Sequence, residues 1–365
     1  LSASFPLFAE EDSFQLEPIV ISPRRFPTSK FNTNRNVIII PGDEVSSLYH
    51  ASPVDIRRRG ANGSTADVSI RGAGFEEALI LLNGIPLNDP QTGHHNLDIP
   101  LTQFDIERIE IMPGAASSLY GSAASGGVIN IITRLPDNKT KKARISFGDH
   151  QFKQAGFGID FPFQNLANRI SFETTKSGGF RHNTELDLMN FSFQSTLSEK
   201  ICYFLGYQAK DFGANGFYSL SFPDQQEETK TFLTTLEGEF DKFEHTFYPK
   251  LFYRRHADRY QLDETRSSWY LNQHTSYTYG GELSTIRKFR SFDYLVGASV
   301  IEDEVTSTNL GNHDRGHQAV FLQGQARVLN DRVLLGAGIR EDHYAGWGWE
   351  PSPSLNAGFF AFDFL

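Results

Sequence analysis

The stretch Asn88 to Asn96 (NDPQTGHHN) is rich in side-chain donors and acceptors, and it holds two adjacent imidazoles, His94 and His95. Neighbours in an extended segment point to opposite sides, so the two make a poor metal pair. They are better suited to polar contacts with a small ligand. His313 and His317, with Asp314, have the donor types of a metal site, on a segment flanked by Gly311 and Gly316. The acidic run from Asp224 to Glu228 offers hard oxygens of the kind calcium takes. Arg71, Glu107, Arg108 and Glu110 fall in strand-like stretches, where a buried charge must find a partner. None of this amounts to catalysis. The chain has no nucleophile elbow, no HExxH and no phosphate loop, and Gly72-Ala73-Gly74 lacks the third glycine of a dinucleotide fingerprint. The residues predict binding rather than a reaction.

The elements that must hold these residues are short. Ala78 to Leu82, Ile106 to Met112 and Val128 to Thr133 read as apolar strands. Ten glycines fall between Gly60 and Gly127, which suits tight turns and argues against long helices. Upstream, Val37 to Ile40 reads as a buried strand. Val45, Leu48 and Tyr49 follow with helical spacing, and Ser52-Pro53 reads as the start of a second helix that stops at Gly60. Asn62 to Thr65 and Asn88 to Asn96 are polar loops at turns of the small sheet. Further back, Glu17, Pro18, Ile19, Val20 and Ile21 form a strand-former with prolines at 18, 23 and 27 and no obvious hairpin partner. Such a segment can add itself to the sheet edge of another protein. Leu1 to Ala9 is apolar and rich in small residues, as in the tail of an export signal.

Composition narrows the class. Apolar runs reach about five residues, far short of the ~20 that a transmembrane helix needs, and mean hydropathy is −0.38. A membrane reading is therefore a β-barrel reading. The 32 Phe, 13 Tyr and 3 Trp fit lipid-facing and interfacial positions better than a soluble core of ordinary size. A net charge of −10 and a pI near 5.6 argue against nucleic acid as a partner. The single Cys202 excludes a disulfide framework within the chain.

From Lys142 the pattern becomes repeated alternation. Ile201, Tyr203, Leu205, Tyr207 and Ala209 share one face, opposite Gln208 and Lys210. Val320, Leu322, Ala326 and Val328 oppose Gln323, Gln325 and Arg327. Val333, Leu335, Ala337 and Ile339 oppose glycines and Arg340. About twelve such segments fit the 229 residues from 137 to 365 at roughly 20 residues per strand and connection. Leu329 to Arg332 and Phe240 to Glu244 read as tight turns. Gly213 to Glu227, Arg255 to Ser268 and Asp303 to Gly316 read as long polar loops.

Four segments carry a family resemblance: "IRG" at Ile70, "ALILLNGIPLND" from Ala78, "DIERIEIMPG" from Asp105 and "SLYGSAASGGVINIIT" from Ser118. In order and spacing they resemble the plug domain of TonB-dependent outer-membrane receptors, over roughly 100 residues. The implied fold class is an α+β plug followed by an antiparallel transmembrane β-barrel. About twelve of the family's roughly 22 strands are present, so a C-terminally truncated chain is expected. The implied organisation is 1–15 signal remnant and disordered terminus, 16–30 Ton box and linker, 31–136 plug and 137–365 the N-terminal part of the barrel.

The resemblance also implies roles. Glu17, Pro18, Ile19, Val20 and Ile21 would be the Ton box, grasped by the energy-transducing TonB complex. Asn62, Asn88, Gln91, Thr92, His94, His95 and Asn96 would face substrate from plug loops. Arg71, Glu107, Arg108 and Glu110 would anchor the plug against a polar inner wall. Expected partners are TonB, outer-membrane lipid and a scarce nutrient, either cobalamin or a ferric siderophore-like chelate, with no nucleic acid. A monomer is expected in the outer membrane, non-enzymatic and without a resident cofactor or metal. Some cobalamin transporters of the family carry calcium in extracellular loops, which leaves loop calcium at Asp224 to Glu228 an open expectation. The alternatives are a passive plugged porin or surface adhesin, or a secreted all-β carbohydrate-active enzyme.

Overall fold

The computed structural model describes residues 20–21, 28–29, 33, 35–60, 63–137, 139–198, 200–266 and 269–359. Strands β1 (Val20–Ile21) and β2 (Thr28–Ser29) pair antiparallel, with Val20 opposite Ser29. The strand-former therefore has a hairpin partner that the sequence reading did not find. Glu17, Pro18 and Ile19 lie outside the described residues.

The N-terminal unit is built on a five-stranded sheet. Its strands are β3 (Ile38–Pro41), β6 (Ala78–Leu82), β7 (Ile85–Pro86), β8 (Ile106–Pro113) and β9 (Gly127–Thr133), in the order β3-β8-β9-β6-β7. Only β6 and β9 run parallel. The ribbon of β4 (Val54–Arg58) and β5 (Ala66–Ile70) lies beside it. All five residues of β6 are buried, which explains its unbroken ALILL run: a strand covered on both faces has no polar side to show. Ile80, Leu82, Ile109, Ile111 and Ile129 form the centre of one core. Leu79, Leu81, Met112 and Val128 turn to a second, where wall residues Ile286, Leu295 and Phe321 join them.

Two helix expectations are corrected here. The segment after β3 is a 3-10 stretch, Gly42–His50, broken at Glu44. The segment after Ser52-Pro53 is strand β4 rather than a helix. Val54 and Ile56 alternate with Asp55 and Arg57, and this period of two, with a partner strand available, outweighs the Ser-Pro start signal. The one α-helix among the described residues is α1 (Ser117–Tyr120).

The C-terminal unit is a single antiparallel sheet in chain order. It contains β10 (Lys141–Phe147), β11 (Lys153–Phe163), β12 (Leu166–Ser177), β13 (Leu186–Ser198), β14 (Ile201–Gly213), β15 (Gln226–Gly238), the short β16 (Phe240–Lys242), β17 (His245–Gln261), β18 (Leu271–Lys288), β19 (Phe292–Ser307), β20 (Gly311–Val328), β21 (Val333–Tyr344) and β22 (Gly348–Phe359). Twelve of these form the path from β10 to β22, and β16 pairs only with β17. The apolar alternate positions face outward, with Val320 and Leu322 about half exposed and Leu355 88% exposed. The polar alternates Gln208, Lys210, Gln323, Gln325 and Arg340 are buried on the inner side. A sheet that is apolar outside and polar inside is the pattern of a membrane barrel wall. No helix among the described residues is long and apolar enough to cross a membrane.

Turns confirm two rims. At one, Phe243-Glu244 and Leu329-Asn330-Asp331 close hairpins with positive φ. The other carries the segments 178–185, 214–225, 262–266 and 269–270. Two expected loops are corrected. Residues 255–261 complete β17, and β19 and β20 run to within three residues of each other, leaving 308–310 as the connection. Strands of 17 and 18 residues exceed the ~9–11 needed to cross lipid. Their ends stand in water and read as polar loops.

The N-terminal unit sits against the inner face of this wall. The contact is close enough that glycine is required on the wall: a Cβ at Gly206 would lie 2.3 Å from the Pro100 carbonyl oxygen. A Cβ at Gly158 would lie 2.7 Å from that of Phe104.

Candidate functional site

The segment from Asn88 to Asp98 carries the binding face. Asn88 Oδ1 accepts from the Ile80 amide and its Nδ2 donates to the Ala78 carbonyl, so this side chain pins the loop to β6. Asn96 does the same work on the other side, accepting from the Asp89 amide and donating to the Phe75 carbonyl. Thr92 Oγ1 accepts from the His94 amide and starts the 3-10 turn Gly93–His95. That turn separates the two imidazoles, as the sequence reading expected of an extended segment, but by a different geometry.

His94 faces the long-loop rim. Its Nδ1 is 2.6 Å from Asp67 Oδ1, its ring stacks on Phe75 at 4.8 Å, and Tyr218 of the 214–225 loop meets it edge-on. Arg59 pairs with Asp67 at 2.9 Å and lies over the Tyr218 ring. Tyr218 in turn packs edge-to-face on Tyr260. The result is a half-buried patch of aromatic faces with one cation and one imidazole. Burial works to raise the Asp67 carboxyl, but its hydrogen bonds and charge contacts with His94 and Arg59 outweigh this and hold it below the usual range. Burial and the neighbouring Glu227 push the Tyr218 hydroxyl well above its usual range, so it remains a donor.

His95 turns the other way, into the seam between the two units. Its Nδ1 is 3.4 Å from Asp98 Oδ2, and its Nε2 is 3.6 Å from Glu227 and 3.9 Å from Asp258. His256 of β17 lies beside it with ring centroids 4.6 Å apart. Burial opposes a charge on His95, yet Asp258, Asp98 and Glu227 hold its imidazolium well above the ordinary range.

The seam is crossed by ion pairs. Asp89 Oδ2 accepts from Arg254 Nη1 at 2.7 Å and from Ser276 Oγ at 2.7 Å. Lys210 donates to Asp98. Asp105 accepts from Ser171 at 2.8 Å and Ser192 at 2.7 Å. Toward the tight-turn rim, Lys250 donates to the Asn83 carbonyl at 2.7 Å, beside a cavity of about 300 Å³ lined in part by Glu107, Tyr120, Asn130 and Glu237. Arg169, fully buried, grips Asp160 with two bonds of 2.6 and 2.7 Å and donates to the backbone of Arg134 and Leu135. It fixes the connection between the units.

The expected site residues divide accordingly. His94 is partly exposed at the patch, and Gln91, also partly exposed, donates its backbone amide to Asp89 Oδ1. Asn88, Thr92 and Asn96 build the loop, His95 lies in the seam, and Asn62 lies outside the described residues. Arg108 pairs with Glu107 and Glu110, its own neighbours on β8. Arg71 is exposed, at a turn with φ 53°. Asp89, Asp98 and Asp105 make contacts to the wall that sequence reasoning missed. The inward alternation of Lys210 was the available signal. His313 bonds the Leu310 carbonyl and His317 bonds Asp342, so the two do not converge. The acidic run is likewise divided: Asp224 meets His182, Glu228 meets Lys230, and Glu227 faces the seam.

Residues 45–128 match the family model described as TonB-dependent Receptor Plug Domain. The chain is 29% identical over 190 residues to the vitamin B12 transporter BtuB of Photobacterium profundum, covering 49% of this chain and 31% of that protein. It is 35% identical over 156 residues to the vitamin B12 transporter BtuB of Vibrio cholerae, covering 39% of this chain and 25% of that one. The matches thus span about a third or less of these curated relatives. In fold, the chain is similar to the crystal structure of the ferric yersiniabactin uptake receptor FyuA from Yersinia pestis. The TM-score is 0.67 at 16% identity, over 91% of this chain and 63% of that one.

Proposed function

We propose, from the premise that this chain belongs to the TonB-dependent receptor family, that it takes up a scarce nutrient across the outer membrane. The observation that carries this reading is the position of the patch at Arg59, Phe75, His94 and Tyr218. It lies where the plug meets the long-loop rim, so a ligand arriving there would touch both units at once. Ligand contact with both could shift the plug relative to the wall. The segment Glu17 to Ile21 would then add as a strand to the TonB partner, which would pull the plug and open a path. The energy would come from that partner, so no nucleotide site is needed here.

The similarity to vitamin B12 transporters favours a cobalamin as substrate, with a ferric siderophore-like chelate as the other choice. Aromatic faces beside a cation suit a large ligand that is part apolar and part anionic. The test has two parts. Equilibrium binding of cyanocobalamin, ferric siderophores and haem to the full-length receptor identifies the class. Deletion of Leu16 to Ser22 should then abolish uptake and leave that binding intact. Uptake that survives the deletion would replace this reading with a passive plugged porin.

A further inference from the structure

The structure assigns a divalent transition-metal site to the seam between plug and wall, with His95 and Asp98 from the plug and His256 from β17 as its protein ligands. Ligand-type atoms of the three lie within 4.8 Å of one another. All three side chains are more than nine-tenths buried. Three of their atoms, His95 Nδ1, Asp98 Oδ2 and His256 Nε2, have no hydrogen-bond partner. Buried nitrogen and oxygen atoms are normally satisfied. His95 Nδ1 and Asp98 Oδ2 have only each other, in an ion pair at 3.4 Å, and His256 Nε2 has no hydrogen-bond partner. An ion shared by the three would satisfy all of them. The 3.4 Å between His95 Nδ1 and Asp98 Oδ2 matches the roughly 3.4 Å separating two ligands of a tetrahedral ion with bonds of about 2.1 Å.

The surroundings support the same reading. His256 Nδ1 is 2.8 Å from Thr231 Oγ1, which leaves Nε2 as the coordinating nitrogen once Nδ1 carries the proton. Lys210 holds the other oxygen of Asp98 and fixes the carboxylate. Charge also favours a dication. With both imidazoles neutral, the seam gathers four carboxylates, Asp89, Asp98, Glu227 and Asp258, against two cations, Lys210 and Arg254, a formal balance of −2. Two imidazoles and one carboxylate suit zinc, nickel or iron(II) rather than calcium or magnesium. An ion bound here would cross-link the 3-10 turn Gly93–His95 to the wall. It would replace a proton on His95, the competing way to neutralise this seam.

The experiment uses the full-length receptor in detergent, stripped with a chelator and dialysed against Zn²⁺ alone. One zinc per chain is expected, with affinity lowered tenfold or more in His95→Phe and in His256→Phe and unchanged in His150→Ala. Zinc should also slow amide exchange across residues 93–98. If either seam variant fails to fold, Cu²⁺ loaded into the unaltered receptor and examined by pulsed EPR should show two coordinated imidazoles. Substoichiometric zinc, unchanged affinity in both folded variants, or fewer than two imidazoles would overturn the site in favour of a protonated His95. Because ligand uptake is measured separately, a receptor that imports its nutrient without binding zinc would sink this site and leave the uptake reading standing.

Discussion

Arg254, on wall strand β17, donates from Nη1 to Oδ2 of Asp89 in the plug at 2.7 Å, and both side chains are almost fully buried. The bond joins residues 165 positions apart and is one of several that hold the plug in register with the wall. Burial works to raise the Asp89 carboxyl, but Arg254 with its neighbours outweighs this and holds the group far below its usual range.

Replacing Arg254 by Ala leaves that carboxylate buried and unpaired. Removing one member of a buried pair costs roughly 3–5 kcal/mol. Hydrogen exchange across residues 85–98 should therefore rise steeply in Arg254→Ala. The double variant with Asp89→Leu should recover much of the protection, because both charges are then gone. Equal exchange in the single and double variants would contradict the pairing.

Asp105 accepts from Ser171 and Ser192 on two wall strands, and from the amide and hydroxyl of Thr102 within its own loop. A hydrogen bond to a charged group contributes roughly 1.5–3 kcal/mol. Ser171→Ala and Ser192→Ala should each weaken plug docking by an amount in that range. A double-mutant cycle against Asp105→Asn should give a coupling energy for each serine, while additive effects would place the serines outside the docking contact.

The outward face of β19 is tested at Val300, which is half exposed beside buried Ser299. If that face meets lipid, Val300→Arg should cost roughly 2–4 kcal/mol near the bilayer midplane, read from urea titration of folding into vesicles. Val300→Leu should behave like the parent chain. A tolerated arginine would mean that this face is not in lipid.

Asp67 gives a pH dependence whose sign follows from its lowered folded value. Its contribution is fully present above the unfolded carboxyl value of about 3.9 and is lost as pH falls through the lower folded one. Its polar neighbours are the Arg59 guanidinium and the His94 imidazole, with Tyr218 against them. Amide exchange at residues 66–68 should accelerate on acidification below about pH 4. Asp67→Asn should remove that acid step and weaken the contact above about pH 4, where the parent carboxylate is charged.

Much of the architecture was legible in the chain. The ALILL run read as an apolar strand, and β6 occupies Ala78 to Leu82 as read, with burial on both faces. Alternation from Ile201 to Lys210 stated which side of β14 is apolar. The errors arose where a local signal met a stronger non-local one. Ser52-Pro53 resembles a helix start, but β5 supplied a partner for Val54 and Ile56. Asp303 to Gly316 resembles a loop because strand ends standing in water are as polar as loops are.

What the sequence by itself determined is the plug-like segment, the alternating wall and the faces of its strands, because period and composition are properties of neighbours along the chain. Tertiary structure alone decided which carboxylate meets which cation. Asp98 and Lys210 are separated by 112 residues, and their meeting depends on how the plug is seated, not on any local pattern. The same docking sent His94 to the patch and its neighbour His95 into the seam, where His256 completes a constellation drawn from both units.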